Sequence, residues 1–231
     1  MNTALAPAVA RVRAAVCDLH RELVRYGLVA WTAGNVSGRV PDSDLFVIKP
    51  SGVSYDDLTP DRMVVCGLDG ELDPAWNAGD LAPSSDTAAH AYVFRHLDHV
   101  GGVVHTHSTY ASAWAARHES IPCALTAMAD EFGGEIPLGA FARIGDDSIG
   151  RAIVETLEGH RSPAVLMANH GVFAIGRDAR AAVKAAVMCE DVARTTHLAR
   201  QLGPLVPLGA DDVDALFDRY QNVYGQKKVS A

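Results

Sequence analysis

The sequence predicts a single-domain α/β protein of the α+β type. It has a central, largely antiparallel β-sheet with helices on both faces. Three observations carry that expectation. Short apolar runs bounded by Gly, Pro, Asn and Asp recur along the chain. Amphipathic helical stretches separate several of them. Hairpin-type turns, Asp69-Gly70 and Asn169-His170-Gly171, join others and call for antiparallel pairing. The 231 residues, 48% hydrophobic and 21% charged, suffice for one large core. No repeat or linker divides residues 1–231.

In chain order, Val12, Val16, Leu19, Leu23 and Tyr26 step by three and four, so Ala8 to Tyr26 reads as an amphipathic helix ended by Gly27. Leu28–Thr32, Leu45–Lys49 and Met63–Leu68 read as strands. Between them, Gly34-Asn35-Val36-Ser37-Gly38-Arg39 and Lys49-Pro50-Ser51-Gly52 read as tight turns, or as loops that offer backbone N–H groups and hydroxyls to an anion. Pro83-Ser84-Ser85-Asp86-Thr87 leads into a helix from Ala88 to His96, with its serines and aspartate as caps or as a phosphate site. Val103-Val104-His105-Thr106-His107 is a buried strand, followed by a helix capped by Ser108. Ile121 to Ala142 is expected as loop. Asp147–Glu158 is a helix, Ala164–Ala168 and Val172–Ile175 form a hairpin, and Asp178 caps a long helix to about Leu202. A shorter helix, Asp211–Tyr220, precedes the tail.

Composition excludes several classes. A formal net charge of −8 argues against a nucleic-acid binder. No apolar run approaches the roughly 20 residues of a membrane span, and no export signal is apparent. The expectation is a cytoplasmic protein whose four cysteines are free thiols. There is no nucleotide-binding glycine fingerprint and no Cys-x-x-Cys pair.

Chemistry concentrates at strand ends. Residues two apart on a strand share a face, so His105 and His107 can reach one metal ion while Thr106 turns away. A hydrogen-bonded core role is the alternative for either. His170 ends another apolar strand, whereas His90, His96, His99 and His118 sit in or next to helices and are expected at the surface. Three imidazoles with an open fourth position suit a catalytic divalent metal such as zinc. Asp86 can approach the same metal.

The Gly34–Ser37, Lys49–Val53, Pro83–Thr87, His105–Ser108 and Asn169–Gly171 motifs, in this order and spacing, resemble the class II aldolase family, which includes the adducin head domain. Within it the chain is most similar to the L-ribulose-5-phosphate 4-epimerases, through Asp86, Ala129-Asp130 before Gly134-Glu135-Ile136-Pro137, and Tyr224-Gly225-Gln226. Met128 and Glu131 depart from that pattern, where those epimerases carry His and an aromatic, and the Leu138–Ile149 region is shorter.

The resemblance implies a zinc-dependent (or other divalent-metal) epimerase of a sugar phosphate, which cleaves and re-forms the C3–C4 bond of L-ribulose 5-phosphate to give D-xylulose 5-phosphate. It implies His105, His107 and His170, with Asp86, as metal residues. It implies Asn35, Lys49, Ser51, Gly52, Ser84 and Ser85 as a phosphate cradle. Asp130 and Tyr224 become an acid/base pair contributed across subunits of a homotetramer, with the tail from about residue 203 reaching the active site. A sugar-phosphate aldolase of the L-fuculose-1-phosphate type is the alternative, and a metal-free scaffold like the adducin head is a third reading.

Overall fold

The computed structural model describes residues 4–77 and 79–225. Seven strands form one sheet, in the order β3-β2-β1-β4-β7-β6-β5. The strands are β1 (Asn35–Arg39), β2 (Leu45–Ile48), β3 (Val64–Gly67), β4 (Gly102–Thr106), β5 (Leu138–Gly139), β6 (Ala164–Met167) and β7 (Gly171–Gly176). Every pairing is antiparallel except β5 with β6. Seven α-helices accompany them among the described residues: α1 (Ala6–Arg25), α2 (Thr87–His96), α3 (Thr109–Ala116), α4 (Thr126–Phe132), α5 (Ser148–Leu157), α6 (Ala179–Leu202) and α7 (Ala210–Asn222).

The period of two along each strand divides the core. Val36, Val104, Leu166, Val172 and Ala174 face one layer, built on α1, α3, α4 and α6 with Val213 of α7. Phe46, Val103, Val165, Phe173 and Ile175 face the other, built on α2 and α5. Each fully buried Phe, Leu or Val contributes about 1.5–3 kcal/mol to this packing. His105 follows Val103 by two residues and so lies on the α2 face. Thr106 lies on the other, as its alternation requires.

Two expectations fail in the N-terminal third. Leu28–Thr32 is not a strand: Gly27 and Trp31 adopt left-handed backbone (φ 65° and 55°), and the segment wraps irregularly off α1. The strand is instead β1, formed by most of the glycine- and serine-containing run read as a turn. Gly38 sits in β1 because helices crowd it: a Cβ there would lie 3.0 Å from the Val16 side chain and 3.2 Å from that of Val12. The second motif does turn at Ser51-Gly52, after β2.

The segment Ile121–Ala142 is not all loop. It contains α4 and β5, so Asp130 stands on a helix. Met128, Ala129 and Phe132 bury one face of that short helix, and Gly133 ends it with φ 61°. Two caps also differ from expectation. Asp86 and Ser108 occupy N-cap positions, yet neither side chain caps its helix. The first N–H groups of α3, on Tyr110 and Ala111, are instead taken at 2.9 Å each by the carboxylate of Glu190 from α6. Asp178 does cap α6, through Ala181 N at 2.8 Å. All four cysteines are free and buried. No helix among the described residues is long and apolar enough to cross a membrane.

Candidate metal centre

Antiparallel pairing sets the geometry. Asn35 on β1 lies opposite His105 on β4, and β7 flanks β4 on the other side, with the β6–β7 hairpin bringing His170 over the end of β4. Asn169 takes left-handed backbone (φ 56°) to make that turn. Gly171 then passes so close that a Cβ would lie 2.5 Å from the Thr106 carbonyl oxygen and 2.9 Å from Cδ2 of His107. Only glycine lets the hairpin settle onto the histidine pair.

One ligand atom each from His105, His107 and His170 lies within 4.8 Å of the others. His105 Nδ1 donates to the Val172 carbonyl at 2.9 Å, so its Nε2 carries the lone pair, and that atom stands 2.9 Å from His107 Nε2. The His105 ring is stacked on Phe173 at 4.2 Å. A backbone carbonyl that fixes the tautomer and an aromatic that fixes the plane are typical supports of a metal-binding imidazole. Burial pushes the His105 pKa down to about 3, and burial together with His107 lowers that of His170. Both are thus held in the neutral form that metals require. His107 is exposed, which leaves the cluster open on one side.

Asp86 stands beside the three rather than among them. It is 5% exposed. Its Oδ2 accepts from Asn35 Nδ2 at 2.7 Å, while Oδ1 is buried and has no protein partner. Burial works against its charge, but His105, His90 and the Asn35 amide outweigh it and hold the carboxyl below its ordinary range. A buried carboxylate with an unused oxygen, beside the histidine cluster, fits a divalent cation in that space.

The phosphate-type residues also converge. The Lys49–Gly52 turn and the Pro83–Asp86 segment are bridged by Ser51 N to Ala82 O at 2.9 Å and Ser84 N to Lys49 O at 3.0 Å. Asn35 Nδ2 donates to Ser84 Oγ at 3.0 Å. Ser85 and Gly52 are exposed beside them. Lys49 is buried, donates to the carbonyls of Thr32 and Pro50 at 3.2 and 3.3 Å, and has its pKa lowered by that burial.

Asp130 and Tyr224 make no contact with the triad within the chain. Asp130 Oδ1 is buried without a partner. Tyr224 is 66% exposed and stacked on Tyr220 at 4.8 Å. Asp130 stands on α4, which packs on α7, and Tyr224 lies two residues beyond the end of α7. Gln226 lies outside the described residues. The two departures from the epimerase pattern have structural roles: Met128 fills the core, and Glu131 is buried in an ion pair of 2.6 Å with Lys184 of α6.

His90, expected at the surface, is fully buried. It bonds Ser37 Oγ at 2.7 Å through Nδ1 and faces Asp86 electrostatically. Its spacing of four from Asp86 along α2 was the available signal.

A model of the class II aldolase and adducin N-terminal domain matches residues 14–197. The chain belongs to this family. It is 40% identical over 205 residues to the L-ribulose-5-phosphate 4-epimerase UlaF of Salmonella paratyphi B, an alignment that covers 84% of this chain and 87% of that one. Among solved structures it superposes on an L-fuculose 1-phosphate aldolase with a TM-score of 0.84 at 25% identity, over 91% and 96% of the two chains. The L-fuculose-1-phosphate aldolase of Thermus thermophilus gives a TM-score of 0.68 at 26% identity, over 85% of this chain and 100% of that one. This is therefore an enzyme of the aldolase and epimerase family, whose enzymes depend on a divalent metal, and its three clustered histidines could hold one.

Proposed function

We propose that the protein is a zinc-dependent L-ribulose-5-phosphate 4-epimerase. The observation that carries this reading is the cluster of His105, His107 and His170 beside Asp86, in a chain 40% identical to an enzyme of that name over most of both lengths. C4 of the substrate has no acidic hydrogen, since it is not adjacent to the carbonyl. Its configuration changes instead by breaking C3–C4. The C4 hydroxyl loses its proton, the C3–C4 electron pair moves onto C3 and the C2 carbonyl, and glycolaldehyde phosphate separates from an enediolate. The aldehyde turns its other face and the bond re-forms with C4 inverted. Held by the three histidines, the zinc ion would supply positive charge against the developing oxyanion.

The chain's own residues do the rest. Ser51, Gly52, Ser84 and Ser85 donate hydrogen bonds to the phosphate, with Asn35 holding Ser84 and Lys49 behind them, and keep the aldehyde fragment from escaping. The buried carboxylate of Asp86 adjoins the histidines and adds negative charge that favours a bound cation. Asp130 and Tyr224 exchange the C4 hydroxyl proton on opposite faces of the aldehyde. Both stand away from their own chain's histidines, which supports shared sites in a cytoplasmic homotetramer. Exposed apolar side chains such as Trp31, Leu202 and Val206 are consistent with such contacts.

The structural likeness to L-fuculose 1-phosphate aldolase favours a second reading, in which both fragments are released. Incubation of the zinc-loaded protein with L-ribulose 5-phosphate separates them. D-xylulose 5-phosphate with no free two-carbon phosphate is expected. Accumulating glycolaldehyde phosphate without the epimer would transfer the assignment to the aldolase.

A further inference from the structure

Two non-glycine residues with left-handed backbone, His118 (φ 55°) and Asn169 (φ 56°), are hydrogen-bonded to each other through their side chains. Asn169 Oδ1 must accept, so His118 Nε2 carries the proton. Such backbone is uncommon for a residue with a Cβ, and glycine would adopt it more cheaply. Both side chains are exposed, so neither is retained for core packing. A second link lies directly beneath: the Ala115 carbonyl near the end of α3 accepts from His118 N at 3.1 Å and from Asn169 N at 3.2 Å.

These contacts bind the end of α3 to the residue immediately before His170. The other end of α3 begins two residues after His107, where the Glu190 carboxylate anchors its first turn. One eight-residue helix therefore spans from the exit of the strand bearing His105 and His107 to the hairpin bearing His170. Alongside the β4–β7 pairing, this helix and its attachments tie the two ligand-bearing turns together.

We propose that His118 is a positioning residue of the metal centre: through Asn169 it orients the hairpin that presents His170. It does not touch the cluster itself. The inference rests on the reading of the three histidines as a metal site.

The test uses the full chain stripped of metal, titrated with Zn2+ or Co2+ against a chelating dye, with a thermal melt on each variant. His118→Gly removes the imidazole and relieves the left-handed backbone. It is expected to weaken metal binding about tenfold or more without lowering the melting temperature. His118→Gln, whose amide can donate to Asn169 Oδ1, should recover part of the affinity. In a cycle with Asn169→Gly, the double variant should be no weaker than the worse single one, because both remove the same bond. Wild-type affinity in His118→Gly, or additive losses in the cycle, would overturn the proposal. So would a collapse of folding in both His118→Gly and His118→Ala, which would make the residue a structural one. If the unsubstituted protein takes up no metal, the histidine-cluster reading itself fails and the proposal falls with it. That outcome is distinct from intact uptake that is indifferent to His118.

Discussion

Replacing Gly171 by alanine should damage both stability and the metal centre, through one methyl group. The added Cβ would lie 2.5 Å from Thr106 O, 2.9 Å from His107 Cδ2 and 3.5 Å from His105 Cε1. The first is backbone of β4, which is paired with β1 and β7 on its two sides and yields little. The second is a ligand ring, which can yield by rotating away from the cluster. Overpacking of this kind costs about 1–3 kcal/mol. At about 2–4 °C per kcal/mol for a chain of this size, the melting temperature should fall by several degrees. A displaced His107 should also weaken divalent-metal binding by about an order of magnitude, the scale of a disturbed ligand support. Thermal melting of the apo-protein and metal titration by calorimetry read the two effects separately. Gly159→Ala serves as control: it has φ 75° and open space around the missing Cβ, so it strains backbone away from the histidines. It should lower stability and leave metal affinity alone. A Gly171→Ala protein that melts and binds metal like the wild type would refute the steric argument and the close approach behind it.

Other outcomes follow from the same structure. Glu190→Ala leaves two amide groups of the first turn of α3 without their acceptor and should cost about 1–3 kcal/mol in urea unfolding. An unchanged midpoint would show that water replaces the carboxylate without loss. Acidification should destabilise the apo-protein. Burial holds His20 down to about 3 and His90 down to about 4, against an ordinary value of 6.5. Below pH 6.5 the unfolded chain therefore takes protons that the folded one refuses, so stability is full above that value and falls towards pH 4, at up to about 1.4 kcal/mol per unit for each group. Urea midpoints at pH 7, 6 and 5 should fall in the wild type, and a slope undiminished in His20→Asn would remove His20 as a source. Tyr224→Phe and Asp130→Asn should each lower kcat about 100-fold or more with little change in metal content. Mixing Tyr224→Phe with His170→Ala should restore some activity if sites are shared across chains, since intact Asp130 and Tyr224 from one chain can then meet intact histidines of the other, and no recovery would count against sharing.

What could be read from the sequence was what alternation and spacing encode locally. His105 and His107 share a face because they are two apart on an apolar strand, and Asn169-His170-Gly171 announces its own hairpin. That His170 closes on the pair depends on β7 lying beside β4, a pairing between distant segments. β1 was hidden because its glycine and serine are strand residues for tertiary reasons: α1 packs on Gly38, and Ser37 bonds His90. Asp86 reads as a cap because it sits at a helix start, yet its carboxylate turns to Asn35, 51 residues away along the chain. Glu190 caps a helix from 80 residues further on, so no local pattern could reveal it. α4 was too short for its period to stand out between flanking loops. Asp130 and Tyr224 carry no local signature, and only the resemblance singled them out.

Metal content is the most direct measure of the histidine cluster's role. Elemental analysis of untagged protein, purified without chelators, should find one divalent ion per chain, and His170→Ala should retain its fold while losing most of that ion. A wild-type chain that stays empty when zinc is added, or a His170→Ala protein that keeps its full complement, would contradict it.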